Sequence, residues 1–232
     1  MKRLFAMCVA LPCLAGGVFE GVTQPFRQAE LSAPVSSRLV ELKVKEGEAV
    51  KAGQPLAQFY VALEELEMRR AKALLERREF EAKGAKRLYD TKIISESKAV
   101  ETRIDLELAR IQFETAEEQV KLRLLLAPFD GVVVAKHREV GEAVSSAQPI
   151  LHLVDLSKVL VRLLVPSEQL SGFTVDQAVR VRFPQMPGTT VPGVVSLVDP
   201  CADTKGRHRV IVTVDNDKNL IRSGVKAVVE VP

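Results

Sequence analysis

The chain contains one short module twice. "APVSSRLVELKVKEGEAVKAGQPLAQFY" begins at Ala33 and "APFDGVVVAKHREVGEAVSSAQPILHLV" at Ala127, a constant offset of 94 residues with no gap. Ala33/Ala127, Pro34/Pro128, Val40/Val134, Gly47/Gly141, Glu48/Glu142, Ala49/Ala143, Val50/Val144, Gln54/Gln148 and Pro55/Pro149 coincide. Gly47 and Gly141 suit tight turns, and Pro55 and Pro149 suit the first residue of a strand. Each copy offers only about three short strands, too few to bury a core alone. The copies must therefore meet, and whatever lies between them must return the chain to its starting point.

The intervening segment is helical in composition. From Leu56 to Ala127 there is no proline, and Gly84 is the only glycine. Between Glu64 and Arg123 stand 14 acidic and 14 basic residues. Glu65–Arg69, Glu79–Lys83 and Glu117–Lys121 have the i,i+4 spacing that supports an exposed helix. Ile104, Leu108, Ile111, Thr115, Leu122 and Leu125 step by fours and threes, interrupted where Glu118 takes a seam position. This is coiled-coil spacing, and it predicts the packing seam of the second helix. A weaker stripe, Leu63, Leu66, Ala73 and Phe80, predicts the seam of the first. Leu106, Phe113 and Val120 repeat every seven residues off that seam, either as extra packing within the hairpin or as a contact with a neighbouring copy. "YDTKIISESK" supplies turn and cap residues between the helices. The expectation is an antiparallel hairpin of two helices of about 30 residues, each about 45 Å long. It would be inserted into a β sandwich formed by the two copies.

The termini add context. Lys2 and Arg3, the apolar run Leu4 to Leu14 and the small residues Ala15 to Gly17 read as an export leader, too short for a membrane-spanning helix. The competing reading is a buried N-terminal helix. Beyond the leader Cys201 is the sole cysteine, which excludes an intramolecular disulfide and reads as structural rather than nucleophilic. After the second copy, "VLVRLLV", "VRVRF", "GVVSLV", "RVIVTV" and "KAVVEV" read as strands between Gly, Pro and Asp turns.

The paired "G-E-x-V-x-x-x-Q-P-[LI]" halves resemble those of biotinyl/lipoyl domains. A carrier of that kind needs a lysine at the junction, where "FYVALEEL" has none. A lipoyl-like module split by a helical hairpin behind an export signal resembles the membrane fusion protein family. These are the periplasmic adaptors of tripartite efflux pumps and type I secretion systems. "LLLAPFDGVVV" at Leu124 to Val134 and "LIRSGVKAVVEV" from Leu220 are similar to family segments, the latter with Ser223 and Val225 in place of Pro and Met. The resemblance runs from Leu31 to Pro232.

It implies an α+β chain, mainly β, with a long coiled-coil hairpin. Its expected parts are a signal peptide (1–17), an N-terminal strand or linker (18–30), lipoyl-like half 1 (31–60), the hairpin (61–126), lipoyl-like half 2 (127–154) and a small β-barrel domain (155–232). It also implies a scaffold without cofactor, in the periplasm and associated with the inner membrane. Several copies, as a trimer or hexamer ring, would bridge an inner-membrane transporter of the RND or ABC type and an outer-membrane channel. The family's tip pattern, R-x3-L-x6-S, matches Leu88 and Ser95. Gly84 stands at its Arg position, with Lys83, Lys86 and Arg87 nearby. Arg87, Leu88, Thr91, Lys92, Ile94 and Ser95 are the expected partner-binding residues.

Other classes fit less well. The sequence has no H-E-x-x-H, G-x-S-x-G, C-x-x-C, P-loop or G-x-G-x-x-G motif. His137, His152 and His208 are scattered over β segments, and Met68 and Met186 are the only methionines beyond the leader, so no metal-trafficking cluster is expected. Interspersed charge of net +3, no Trp and two Tyr argue against a nucleic-acid surface. The alternative function is a biotinyl/lipoyl-type carrier.

Overall fold

The computed structural model describes residues 17–186, 190–217 and 220–231. The expected leader, apart from Gly17, lies outside them. The chain divides into two compact units, one of residues 29–153 and one of residues 1–28 with 154–232.

In the first unit each copy completes the other. Copy one contributes β2 (Ser37–Leu42), β3 (Ala49–Val50) and β4 (Pro55–Phe59); copy two contributes β6 (Gly131–Lys136), β7 (Ala143–Val144) and the start of β8 (Pro149–Pro166). β2 pairs with β7 and β3 with β6, so the strands pair across the repeat. The exchange is reciprocal atom by atom. Gly47 N–H donates to the Val133 carbonyl at 2.7 Å, and Gly141 N–H to the Leu39 carbonyl at 2.8 Å. Ala33 N–H donates to Gln148 at 2.9 Å, and Ala127 N–H to Gln54 at 3.0 Å. The turns match as well: Glu48 accepts from Lys45 N–H and Glu142 from Glu139 N–H, both at 2.9 Å. Gly47 and Gly141 sit at φ 83° and 98°, the left-handed region that disfavours a Cβ.

The side chains follow the same pseudo-twofold pattern. Leu39, Leu56, Phe59, Val133, Ile150, Leu151 and Leu153 close one core. Leu31 and Leu125 occupy equivalent buried places, in β1 (Val18–Ser32) and β5 (Leu124–Leu126), so the repeat extends just beyond the matching letters.

The second unit is a closed β wall. Its strands run in the order β1, β12 (Lys226–Glu230), β9 (Ala178–Arg182), β10 (Thr190–Ala202), β11 (Arg207–Asp215) and β8, and β1 pairs with β8 to close the ring. A 3-10 turn, Ser167–Gly172, follows β8. Alternation along β8 and β11 sends Val159, Val161, Leu163, Val165, Val210, Val212 and Val214 into the core. Gly21 lets β1 approach β8 closely, since a Cβ there would lie 2.7 Å from the Arg162 carbonyl oxygen. Asp155 is buried and accepts from Arg27 at 2.7 Å and from Ser157 N–H at 2.9 Å. Burial pushes its carboxyl up, but the Ser157 and Arg27 bonds outweigh that and hold it below the ordinary range. Cys201 is exposed on β10, not packed in a core.

Candidate functional site

Between β4 and β5 the chain leaves the β module as a helical hairpin. α1 spans Ala62–Asp90 and α2 Glu96–Lys121. Glu64 and Glu65 in the first turn of α1, and Lys121 in the last turn of α2, suit the helix dipoles. At the base Arg123 donates to Glu64 at 2.5 Å, both side chains largely shielded, and the Arg123 carbonyl accepts from Phe59 N–H. Further out Arg78 bridges Glu81 at 2.8 Å and Asp105 at 3.2 Å. Lys121 pairs with Glu117, whereas Arg69 Nε donates to the Glu65 backbone carbonyl.

The seam between the helices is not the predicted one. Ala71 of α1 and Ala109 and Ala116 of α2 are buried, 2, 4 and 5% exposed, and Leu106, Phe113 and Val120 are half-buried. Ile104, Leu108, Ile111 and Leu122 are exposed, as are Leu63, Leu66 and Phe80. The stripes expected to pack the hairpin internally therefore face outward. The stripe left open between two readings takes the internal one. The physical reason is size: alanines at positions 71, 109 and 116 let two backbones approach closely, and larger side chains cannot displace them from that seam.

The tip is built by two caps. α1 ends with Lys92 N–H bonded to the Tyr89 carbonyl and Ile93 N–H to the Leu88 carbonyl, both at 2.8 Å. This is a Schellman pattern, with Lys92 at φ 58° where glycine is usual. Thr91 Oγ1 donates to the Arg87 and Leu88 carbonyls. Ser95 caps α2 by accepting from Lys98 N–H at 3.3 Å.

All six expected tip residues thus fall on one end of the hairpin. Arg87, Leu88, Thr91, Lys92 and Ser95 are exposed, and Ile94 is half-buried. Ile93 is 68% exposed, more than either Leu88 or Ile94, and was missed. The available signal was an apolar pair inside a polar turn, of which only one member can turn inward. Just below the tip a groove of about 650 Å³ opens between the helices, lined among others by Lys83, Lys86, Tyr89, Val100, Arg103 and Leu106. Gly84 lies in α1 in open space, with nothing within 4 Å of where a Cβ would be.

The histidines are half-buried or at the edge of exposure, each in contact with a partner. His137 Nε2 and His152 Nδ1 both approach Glu30, at 3.1 and 3.6 Å, and His208 contacts the Asp199 carbonyl and Ser167 Oγ. Among the described residues no group of three or more His, Cys, Asp or Glu side chains is arranged to hold a metal ion. No described helix is long and apolar enough to cross a membrane.

A barrel-sandwich module split by a helical hairpin and joined to a β barrel defines a class of multidomain scaffold. The chain belongs to the membrane fusion protein family: residues 27–155 match the CzcB-like barrel-sandwich hybrid domain, and residues 158–231 the CusB-like β-barrel domain. It is 28% identical over 220 residues to the nodulation protein NolF of Rhizobium meliloti, covering 88% of this chain and 60% of that protein. It is 26% identical over 203 residues to the cobalt-zinc-cadmium resistance protein CzcB of Cupriavidus metallidurans, covering 80% of this chain and 38% of that protein. The chain thus spans 60% or less of the length of these two relatives. Among solved structures it matches a MacA–MexA chimera carrying the Pseudomonas aeruginosa MexA α-hairpin domain, with TM-score 0.83 and 22% identity over 93% of this chain and 80% of that one. A putative efflux transporter from Bacteroides eggerthii matches with TM-score 0.76 and 24% identity, over 93% and 68%. At these identities the structures speak for the fold.

Proposed function

We propose that the protein is a periplasmic adaptor, bridging an inner-membrane transporter of the RND or ABC type and an outer-membrane channel. The observation that carries this reading is the hairpin itself. It leaves a complete β module and returns to it, and its far end displays Leu88 and Ile93 with no covering element among the described residues. Catalysis plays no part: the hairpin acts as a coiled-coil spacer, and the β units serve as the body on the transporter side. Relatives named for cobalt-zinc-cadmium resistance and for nodulation share this chain's domains, so we assign the choice of cargo to the transporter. Several copies, three or six, would enclose the path, and motion of domains as rigid bodies would transmit the transporter's state.

Arg87, Leu88, Thr91, Lys92, Ile94 and Ser95, with Ile93, form the proposed docking surface for the channel. Burying one such apolar side chain contributes about 1.5–3 kcal/mol, multiplied around a ring by multivalency. Leu88→Asp and Ser95→Arg test this by efflux and by crosslinking to the channel in intact cells. Both variants are expected to lose both activities; Leu88→Asp should keep wild-type helicity, whereas Ser95→Arg also removes the α2 cap and should lower stability by about 0.5–2 kcal/mol. Full efflux in a stably folded Ser95→Arg variant would overturn tip docking.

A further inference from the structure

The two helices stop packing on each other part-way along the hairpin. Ala71 is the one buried residue of α1, and Ala109 and Ala116 are those of α2. The Arg78–Asp105 pair sets residue 78 beside residue 105, so all three alanines lie on the module side of that level. Between it and the capped turn no residue of either helix is buried. The seam is left open there, and the groove of about 650 Å³ occupies it. Small-molecule sites typically enclose about 300–1,000 Å³.

The lining divides by chemistry. Ala82 and Tyr89 of α1, with Ala99 and Leu106 of α2, supply an apolar floor. By the helical step of about 100° per residue they are the lining residues turned most nearly toward the buried seam. Around the floor stand Lys83, Lys86, Arg103 and Arg110, together with Glu79, Asp90 and Glu96. Arg110 is taken by Glu107. Lys83, Lys86 and Arg103 have no ion pair among the described residues, although Glu79 stands four residues before Lys83 and Asp90 four after Lys86. Residues 82–103 include six basic and three acidic side chains, so the field over the groove favours a negative charge.

We propose that this groove binds a small amphiphilic anion, its apolar body on Ala82, Tyr89, Ala99 and Leu106 and its carboxylate, sulfate or phosphate head held by Lys86 and Arg103. Neither cation has to leave a partner to reach the head, and the body covers apolar surface that the helices leave open. Because the two cations stand on different helices, a bound ligand ties the outer parts of α1 and α2 together. The site is separate from the docking surface at the turn and stands whether or not the adaptor reading does.

Isothermal titration of the full chain with dodecanoate, dodecyltrimethylammonium and dodecanol, each below its micelle concentration, compares one tail with three heads. Dodecanoate is expected to bind at one site per chain, about tenfold or more tighter than the other two. Lys86→Gln with Arg103→Gln should weaken it by about tenfold. Lys72→Gln, at an exposed position outside the groove, should leave it unchanged. Ala99→Phe fills the floor and should abolish binding, with circular dichroism confirming that each variant is folded. Hydrogen exchange should slow on both sides of the groove when dodecanoate is bound. Tighter binding of the cation or the alcohol, or equal binding by the Lys86→Gln, Arg103→Gln chain, would overturn the site. Binding to phosphatidylglycerol vesicles with no response to free dodecanoate would overturn it too, assigning these cations to a membrane surface.

Discussion

The β module and the hairpin solve the same problem, pairing two stretches of chain, in opposite ways. In the module, the partner of each turn is set by backbone geometry: Gly47 and Gly141 reach the Val133 and Leu39 carbonyls in one reciprocal register. In the hairpin nothing in the backbone chooses a face. α2 carries two apolar stripes, and side-chain size decides which one turns inward. The module is therefore specified by reciprocity and the hairpin by volume. A face rejected by the hairpin remains available to something else.

The largest expected effect separates the two directly. Replacing residues 64–123 with a short Gly-rich linker removes the hairpin while leaving both copies, because closing a modestly longer loop costs little. Circular dichroism should lose its helical component and keep its β component, and transport should vanish. A chain that unfolds altogether would mean that the module depends on its insertion.

Next come paired substitutions at one residue type. Leu39, fully buried in the module, should cost about 2–5 kcal/mol on change to Ala. Leu108, exposed on α2, should change monomer stability by no more than about 0.5 kcal/mol. Urea unfolding at concentrations too low for association checks both. Equal losses would restore the predicted seam and remove the contrast. The seam can also be probed with charge: Phe113→Asp should lower the melting temperature, and Phe80→Asp should leave it unchanged in the monomer.

That contrast also explains what the sequence made legible. The offset of the two copies, the prolines at strand starts and the two turn glycines are local signals that the structure uses where they stand. Of the tip, the caps Thr91 and Ser95 and the apolar Leu88 could be read directly, because capping is decided by the nearest few residues. The seam could not. Ile104, Leu108 and Ile111 show the stronger periodicity, but periodicity reports that a face is apolar and not what covers it. Ala109 and Ala116 carry little hydrophobic signal, yet their smallness fixes the approach of the helices. The strand or linker expected at 18–30 was also only partly readable, since the pairing of its first residues with β12 depends on residues some two hundred positions away.

A smaller effect concerns acid. The carboxyl of Asp155 titrates below its ordinary value of 3.8, so its contribution to folding is present above that pH and is lost as pH falls through the lowered value. The unfolding midpoint should decline below pH 3.8, and Asp155→Asn should flatten that part of the profile. An identical slope in the variant would remove the assignment. The module itself has no buried carboxylate among its described residues, so the acid response should report on the barrel.

The smallest effects lie where the copies differ. Gly53 and Ala147 are equivalent positions, both left-handed at φ 77° and 65°, and only the first is glycine. Ala147→Gly should stabilise the module by up to about 1 kcal/mol, and Gly53→Ala should destabilise it by a similar amount. In the hairpin the sign reverses: Gly84→Ala, helical and unobstructed, should add about 0.5–1 kcal/mol. Thermal melts resolve all three.

Because the turns of each copy are closed by strands of the other, the peptide link across the hairpin tip is not what holds the β module together. A trypsin cut after the exposed Lys92 would leave two fragments, each with one helix and one copy. They would stay joined by β2 on β7, β3 on β6 and the alanine seam. The nick would pass unseen through gel filtration and appear only on a denaturing gel. By the same logic the protein can be supplied as two separately translated pieces. The tip then acts as a tether that raises the local concentration of one piece near the other.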